Sequence, residues 1–296
     1  MKGPITGTFI DEITYDIPSS NWSEEQWKKD LDYMCEIGID TLIFIRGGFG
    51  KKTIFPCKCL NTLHHEDFAG FILKEAAERK MKVYFGLYIS NIDWNRGDAL
   101  TEIRINRMFI DEIYSKYGDM PSFEGWYIPQ ETSRNILNIS EIMGGLSQMC
   151  KEKDPTKKVL ISPFFASKVI SPENFLTPEQ HFEEWDKILT AAGNGIDVCA
   201  FQDGTSPLEE MPQYYGAVRK LCDKHNMGLW VNAETFERDV RCMYYPIPFT
   251  DLKEKLTVHE QYAEKIITFE FSHFMSPQSI YPSAHNLFDR YTEYFK

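Results

Sequence analysis

The chain has 296 residues, 43% of them hydrophobic, which is ample for a large core and exceeds the usual single-domain size. A net charge of −12, a pI near 5.1 and the lack of a Lys/Arg run disfavour nucleic acid or an anionic membrane surface as partner. No window approaches the roughly 18 apolar residues of a membrane span, and the Met-Lys-Gly-Pro start carries no apolar signal core. The expected location is cytoplasmic for the chain as it stands, and secreted or periplasmic if a signal peptide has been removed.

Taken in order, residues 5–13 read as a strand. Ser23 opens an amphipathic helix that ends at Gly38, and Gln26 completes a capping box with it. Residues 39–45 form a fully apolar strand, followed by Arg46-Gly47-Gly48. The pattern continues as helix 65–80, strand 81–89, helix 98–117, strand 123–129, helix 136–153, strand 158–165, helix 178–192, strand 196–202, helix 208–225, strand 227–233, helix 252–265, strand 266–271 and helix 283–295. Eight strands alternating with eight helices predict parallel pairing and closure into a single-domain (β/α)8 TIM barrel over residues 1–296. An open doubly wound sheet is the rival fold. It usually has a glycine-rich phosphate loop after its first strand, and here Asp11-Glu12-Ile13-Thr14-Tyr15-Asp16 stands there.

Of the seven cysteines, Cys35, Cys150, Cys199 and Cys222 fall in apolar elements and read as buried free thiols in a reducing compartment. Cys57 and Cys59 form a Cys-x-Cys in a loop, with His64 and His65 close behind. A metal reading would need partners at comparable spacing, and no metal or cofactor is expected.

The barrel turns strand ends into a ring on one face, where such folds build their sites. That ring holds Asp11 and Glu12 after strand one and Arg46 after strand two. Tyr88, Asn91 and Trp94 come near the end of strand three, and Gln130-Glu131 ends strand four. Phe164 follows strand five, Gln202-Asp203-Gly204 strand six, Asn232 and Glu234 strand seven, and Glu270, Ser272 and His273 strand eight. Two runs stand out: Gly125-Trp126-Tyr127-Ile128-Pro129-Gln130-Glu131 and Gly228-Leu229-Trp230-Val231-Asn232-Ala233-Glu234. Each is apolar and aromatic-rich, and each ends in a carboxylate followed by Thr. Period-two alternation places Tyr127 inward with Glu131, and Trp230 and Asn232 inward with Glu234. Paired carboxylates among aromatic and amide side chains suit glycoside hydrolysis. Arg46 either binds a substrate hydroxyl or pairs with a neighbouring carboxylate. Asp203 either orients substrate or starts an Asp-Gly turn. Trp94 and Phe164 are either stacking platforms or loop anchors.

A Glu after strand four and another after strand seven of a TIM barrel resembles the 4/7 superfamily, clan A, of retaining glycoside hydrolases. More closely, the chain resembles a bacterial family of glycoside-hydrolase-like barrels known as domain of unknown function 4434. The resemblance rests on Gly7-Thr8-Phe9, on the run from Gly125 to Glu131 and on Gln202-Asp203-Gly204. It implies Glu131 as acid/base, Glu234 as nucleophile and a carbohydrate substrate. Clan A enzymes usually place Asn before the acid/base, where it binds the sugar 2-hydroxyl. This chain has Gln130, which offers the same amide on a longer arm, so the contact is either kept with altered geometry or lost.

Two alternatives stand beside this reading. One is a metal-dependent sugar isomerase or lyase, with Glu131, Asp203, Glu234 and His273 as an oxygen-rich ring carrying one His. The other is a non-catalytic carbohydrate-binding barrel.

Overall fold

The structure, a computed structural model, describes residues 3–13, 19, 21–60, 66–204, 206–238 and 243–296. Eight parallel strands close into a barrel: β1 (Ile5–Ile10), β2 (Thr41–Phe44), β3 (Lys82–Gly86), β4 (Phe123–Ile128), β5 (Lys158–Ile161), β6 (Val198–Gln202), β7 (Gly228–Asn232) and β8 (Lys265–Thr268). Each strand pairs with its successor, and β8 returns to β1. The outer helices are α1 (Glu24–Ile37), α2 (Phe68–Glu78), α3 (Ala99–Tyr117), α4 (Ile139–Lys153), α5 (Pro178–Ala192), α6 (Met211–Lys224), α7 (Phe249–His259) and α8 (Pro282–Phe295). This is the expected TIM barrel. No described helix is long and apolar enough to cross a membrane.

The strands are apolar on both faces because both faces are covered. Inward residues such as Phe9, Ile43, Tyr84, Tyr127, Leu160 and Trp230 form one cluster inside the barrel. Outward residues such as Leu42, Phe85, Trp126, Ile161 and Phe201 pack with the helices in a second, larger one. Local chemistry sets the helix ends. The Ser23–Gln26 capping box is formed, and Gly38 closes α1 in the left-handed conformation. Thr177 and Gln180 make a second box on α5.

Several boundaries differ from the sequence pattern. The run 81–89 divides after Gly86. There Gly47 N donates to Gly86 O at 2.9 Å, and a Cβ at Gly86 would overlap Phe44 O. The chain leaves the barrel at this close approach, and Tyr88–Ile89 joins Gly48–Phe49 and Lys52–Thr53 in a separate small sheet. β5 stops at Ile161, two residues before Pro163, which has no N–H to extend a ladder. α2 begins at Phe68 because Asp67 caps it through Gly70 N. α7 begins directly after Pro248 and ends at His259, earlier at both ends than the pattern predicts. After β7, Phe236–Arg238 and Tyr244–Pro246 pair as an antiparallel hairpin.

Candidate active site

Three residues beyond the end of β4 the chain carries Glu131, two period-two steps after Tyr127 and therefore on the same side. Tyr127 is fully buried, edge-on to Phe9 at 5.2 Å, and its hydroxyl donates to Glu131 Oε1 at 2.6 Å. Glu131 itself is half-buried. Burial raises its pKa. The Arg46 guanidinium and hydrogen bonds from Tyr127 and Gln202 work against that rise, while Asp11 adds to it. Arg46 lies 3.9 Å from Asp11 Oδ2 and over the Phe49 ring, and the Gln202 amide also donates to Ser162 O at 2.7 Å. Asp11, Arg46, Gln202 and Glu131 therefore meet at the mouth of the barrel.

Glu234 is 4% exposed beyond the end of β7. Its carboxylate occupies the space beside Gly204 that a side chain at 204 would fill: a Cβ there would overlap Glu234 Oε2. Asp203 holds the same segment from below. Its fully buried carboxylate accepts Glu234 N at 3.0 Å, Lys255 Nζ at 3.0 Å and His259 Nε2 at 2.8 Å. Lys255 also donates to Glu234 O at 3.3 Å. Burial, with Asp203 next, pushes the Glu234 carboxyl up to about 7, against the pull of Lys255 and Arg238. Glu131 contributes to that rise, so the two carboxyls lie within electrostatic reach of each other. A cavity of about 450 Å³ opens beside Glu234, lined also by Phe236, Glu237, Arg238 and Lys255.

A further acidic group lies across the ring. Glu270, fully buried after β8, pairs with His273 Nδ1 at 2.5 Å. Glu12 accepts from Ser19 Oγ at 2.8 Å, and burial pushes it up to about 7. Lys255 and His259 are absent from the ring read from sequence, whereas Glu12 stands in it without an assigned role. Glu12 carried a signal in the Asp11-Glu12 pair at a strand end. Lys255 and His259 carried none, because they reach the site from a helix face four residues apart.

The other predicted residues divide. Phe164 stands at the rim, partly exposed, with its N–H on Thr132 O at 3.2 Å and a bridge to Gln202. Asn232 is 2% exposed, and its Oδ1 has no hydrogen-bond partner among the described residues. Gln130 does not face the site. It is fully buried on the helix side of β4, and its amide donates to Tyr88 O at 3.1 Å and Glu102 Oε1 at 2.8 Å. The alternation that turns Glu131 inward turns Gln130 outward, so it does not stand in for the clan A Asn. Tyr88 leaves with the small sheet, where its hydroxyl donates to Gly50 O at 2.9 Å. Trp94 packs in the strand–helix layer at 9% exposure, and Asn91 binds Asn95 Nδ2 at the start of the short helix Ile92–Arg96. Trp230 is inward but low, level with the first residue of β8, against Tyr84 at 5.6 Å and beneath Lys265 Nζ. Asp203 is a clamp on Glu234 and Lys255, with both carboxylate oxygens engaged from within the protein.

The metal-ring alternative fares poorly. Glu131, Asp203, Glu234 and His273 do not bring their ligand atoms together closely enough to share a cation among the described residues; the ligand atoms of Cys57, Cys59 and Glu112 lie within 4.8 Å of one another. His64 and His65 lie outside the described residues.

Comparison with known proteins bears on this geometry. A Bacteroides thetaiotaomicron VPI-5482 structure, provisionally named an alpha-L-fucosidase, superposes with a TM-score of 0.94 at 41% identity, over 99% of this chain and 93% of that one. The intracellular xylanase TsXylA of Thermoanaerobacterium saccharolyticum shares the fold at a TM-score of 0.54 and 14% identity, covering 89% of this chain and 84% of that one. The β-D-glucuronidase of Dictyoglomus thermophilum does so at 0.57 and 15%, covering 98% and 50%. These two show the fold alone. No curated protein sequence matches the chain. Residues 5–281 match the family described as Domain of unknown function (DUF4434), and with that match and the 41% identical Bacteroides structure, the chain belongs to the DUF4434 family of glycoside-hydrolase-like barrels.

Proposed function

We propose that this protein hydrolyses a glycosidic bond in an oligo- or polysaccharide by a retaining mechanism, with Glu131 and Glu234 as its carboxyl pair. The observation that carries the reading is the pair itself. Two carboxyls stand beyond the ends of β4 and β7, Glu131 adds to the rise at Glu234, and the two have different hydrogen-bond and charge partners. Environments that push two carboxyl pKa values apart are how one site supplies both an acid and a base.

The resemblance to clan A in strand position supports reading Glu131 as the acid/base and Glu234 as the nucleophile. A specific observation favours a second reading with the roles exchanged. Glu131 receives the Tyr127 hydroxyl, the Gln202 amide and the field of Arg46, all of which favour its ionised form. Glu234 lies against Asp203 and holds its proton to about pH 7.

The experiment replaces each Glu with Gly and supplies azide with an activated aryl glycoside. Azide that takes the nucleophile's place displaces the leaving group directly, so the glycosyl azide is inverted. Azide that replaces water in the second step gives net retention. Inverted product from the Glu234 variant and retained product from the Glu131 variant match strand position, and the opposite pattern matches the exchange. Aryl α-L-fucosides are the first substrates to try, given the name carried by the Bacteroides structure. Glycan binding without turnover across a broad panel would overturn hydrolysis in favour of a binding barrel.

A further inference from the structure

Away from the carboxyl pair, the turn that follows the short strand Lys52–Thr53 is fastened to α3 by Lys116, which donates to Pro56 O at 3.0 Å, and by Glu112. Glu112 Oε1 accepts Lys58 N at 2.7 Å, and its Oε2 accepts Cys59 N at 2.8 Å. This brings two thiols to the same carboxylate: Cys57 Sγ lies 3.4 Å from Cys59 Sγ and 3.5 Å from Glu112 Oε2. One ligand atom from each of the three residues falls within 4.8 Å of the others. A tetrahedral zinc, with Zn–S of about 2.3 Å and Zn–O of about 2.1 Å, needs S···S edges of roughly 3.8 Å and S···O edges of roughly 3.6 Å. The Cys57–Cys59 and Cys57–Glu112 spacings reach those edges with shifts of a few tenths of an ångström, and the third edge, Cys59 to Glu112, lies within 4.8 Å.

We propose that Cys57, Cys59 and Glu112 form a binding site for a thiophilic divalent cation such as Zn²⁺. The donor set is that of zinc: two soft sulfurs and one carboxylate oxygen. The two backbone N–H groups on Glu112 leave lone pairs free on the carboxylate and hold it in place, as outer hydrogen bonds do at metal ligands. Cys59 and Glu112 also line a surface cleft of about 600 Å³ that reaches Asp111, Ser115 and Lys116, with room for water in a fourth position. Binding converts both thiols to thiolates and releases two protons to solvent, and the Cys57 hydrogen bond to Glu112 gives way to metal contacts. A bound cation would cross-link the turn to α3, which no disulfide does here, since Cys57 and Cys59 are free thiols.

The test uses the full chain, reduced and stripped of metal with a chelator, then titrated with Co²⁺. One Co²⁺ per chain is expected, with sulfur-to-cobalt charge-transfer absorption that Zn²⁺ bleaches while about two protons are released per ion. Cys57→Ser with Cys59→Ser removes the band, and Glu112→Gln, which keeps both thiols, weakens binding by at least about tenfold. Absence of the band from the unaltered protein overturns the proposal. So does an unchanged band in the double Ser variant, which would place the ion on other thiols. Should the double variant fail to fold, the unaltered protein and Glu112→Gln decide the matter by themselves: equal affinity in these two also overturns the site.

Discussion

The ends of β4 and β7 look alike in sequence, since each is an aromatic run closing in Glu-Thr, but the two carboxyls meet opposite surroundings. Glu131 accepts hydrogen bonds from Tyr127 and Gln202 and lies in the field of the Arg46 charge. Glu234 sits where the absent side chain of Gly204 makes room, with its backbone N–H on the buried carboxylate of Asp203. Burial raises both carboxyls; at Glu131 the Arg46 charge and two donated hydrogen bonds oppose the rise, whereas at Glu234 the Asp203 charge adds to it. The difference comes from what neighbouring strands bring, not from the runs themselves, and it is the kind of asymmetry that separates an acid from a base.

The comparison breaks most sharply if either carboxyl proves dispensable. Glu131→Gln and Glu234→Gln are each expected to lower kcat by about a thousandfold or more with the fold intact by circular dichroism. Near-normal turnover by either variant would remove the pair from the chemistry. Asp203→Asn attacks only the β7 side. It strands Lys255 and His259 beside a neutral amide, and breaking a buried ion pair costs about 3–5 kcal/mol in denaturant melts. Because Asp203 is the largest electrostatic influence raising Glu234, the same variant should move the Glu234 limb of the pH–rate profile to lower pH. An unmoved limb would mean that Asp203 supports the fold alone.

Glu234 also links the site to stability. Its folded carboxyl titrates at about 7 against an ordinary 4.5, so the folded state binds that proton more tightly than the unfolded state does. The contribution is full below pH 4.5 and is lost as pH rises through 7, where it amounts to about 3 kcal/mol. Glu234→Gln should therefore stabilise the protein by up to about 3 kcal/mol at pH 8 and not at pH 4. A gain independent of pH would contradict the assigned titration. The smallest effect belongs to the β4 side. Tyr127→Phe removes one hydrogen bond to a carboxylate, expected to lower kcat/KM about tenfold, or about 1.5 kcal/mol. The Glu131 limb of the profile should move to higher pH, since a donor that lowers its pKa is gone.

Residues at strand ends were legible to the extent that local alternation governs them. It correctly set Tyr127 and Glu131 on one side, and the same alternation sends Gln130 to the other, into hydrogen bonds with Tyr88 and Glu102. The expectation for Gln130 came from its place beside Glu131 and did not apply that rule. Tyr88 and Trp94 were misplaced because the close approach at Gly47 and Gly86 diverts the chain from the barrel, a contact between separate strands. Trp230 was read on the correct face but at the wrong height, since height depends on register with β6 and β8.

By itself the sequence determined the eightfold strand–helix order, the barrel and the strands that carry Glu131 and Glu234, because hydrophobic period and caps are local properties of the chain. The tertiary structure alone decided which groups surround each carboxyl. Lys255 and His259 reach Asp203 from α7, Gly204 yields space to Glu234, and Glu112 reaches Cys57 and Cys59 from α3. Those contacts join residues about 30 to 55 positions apart, and burial and charge act through space, so no local pattern encodes them.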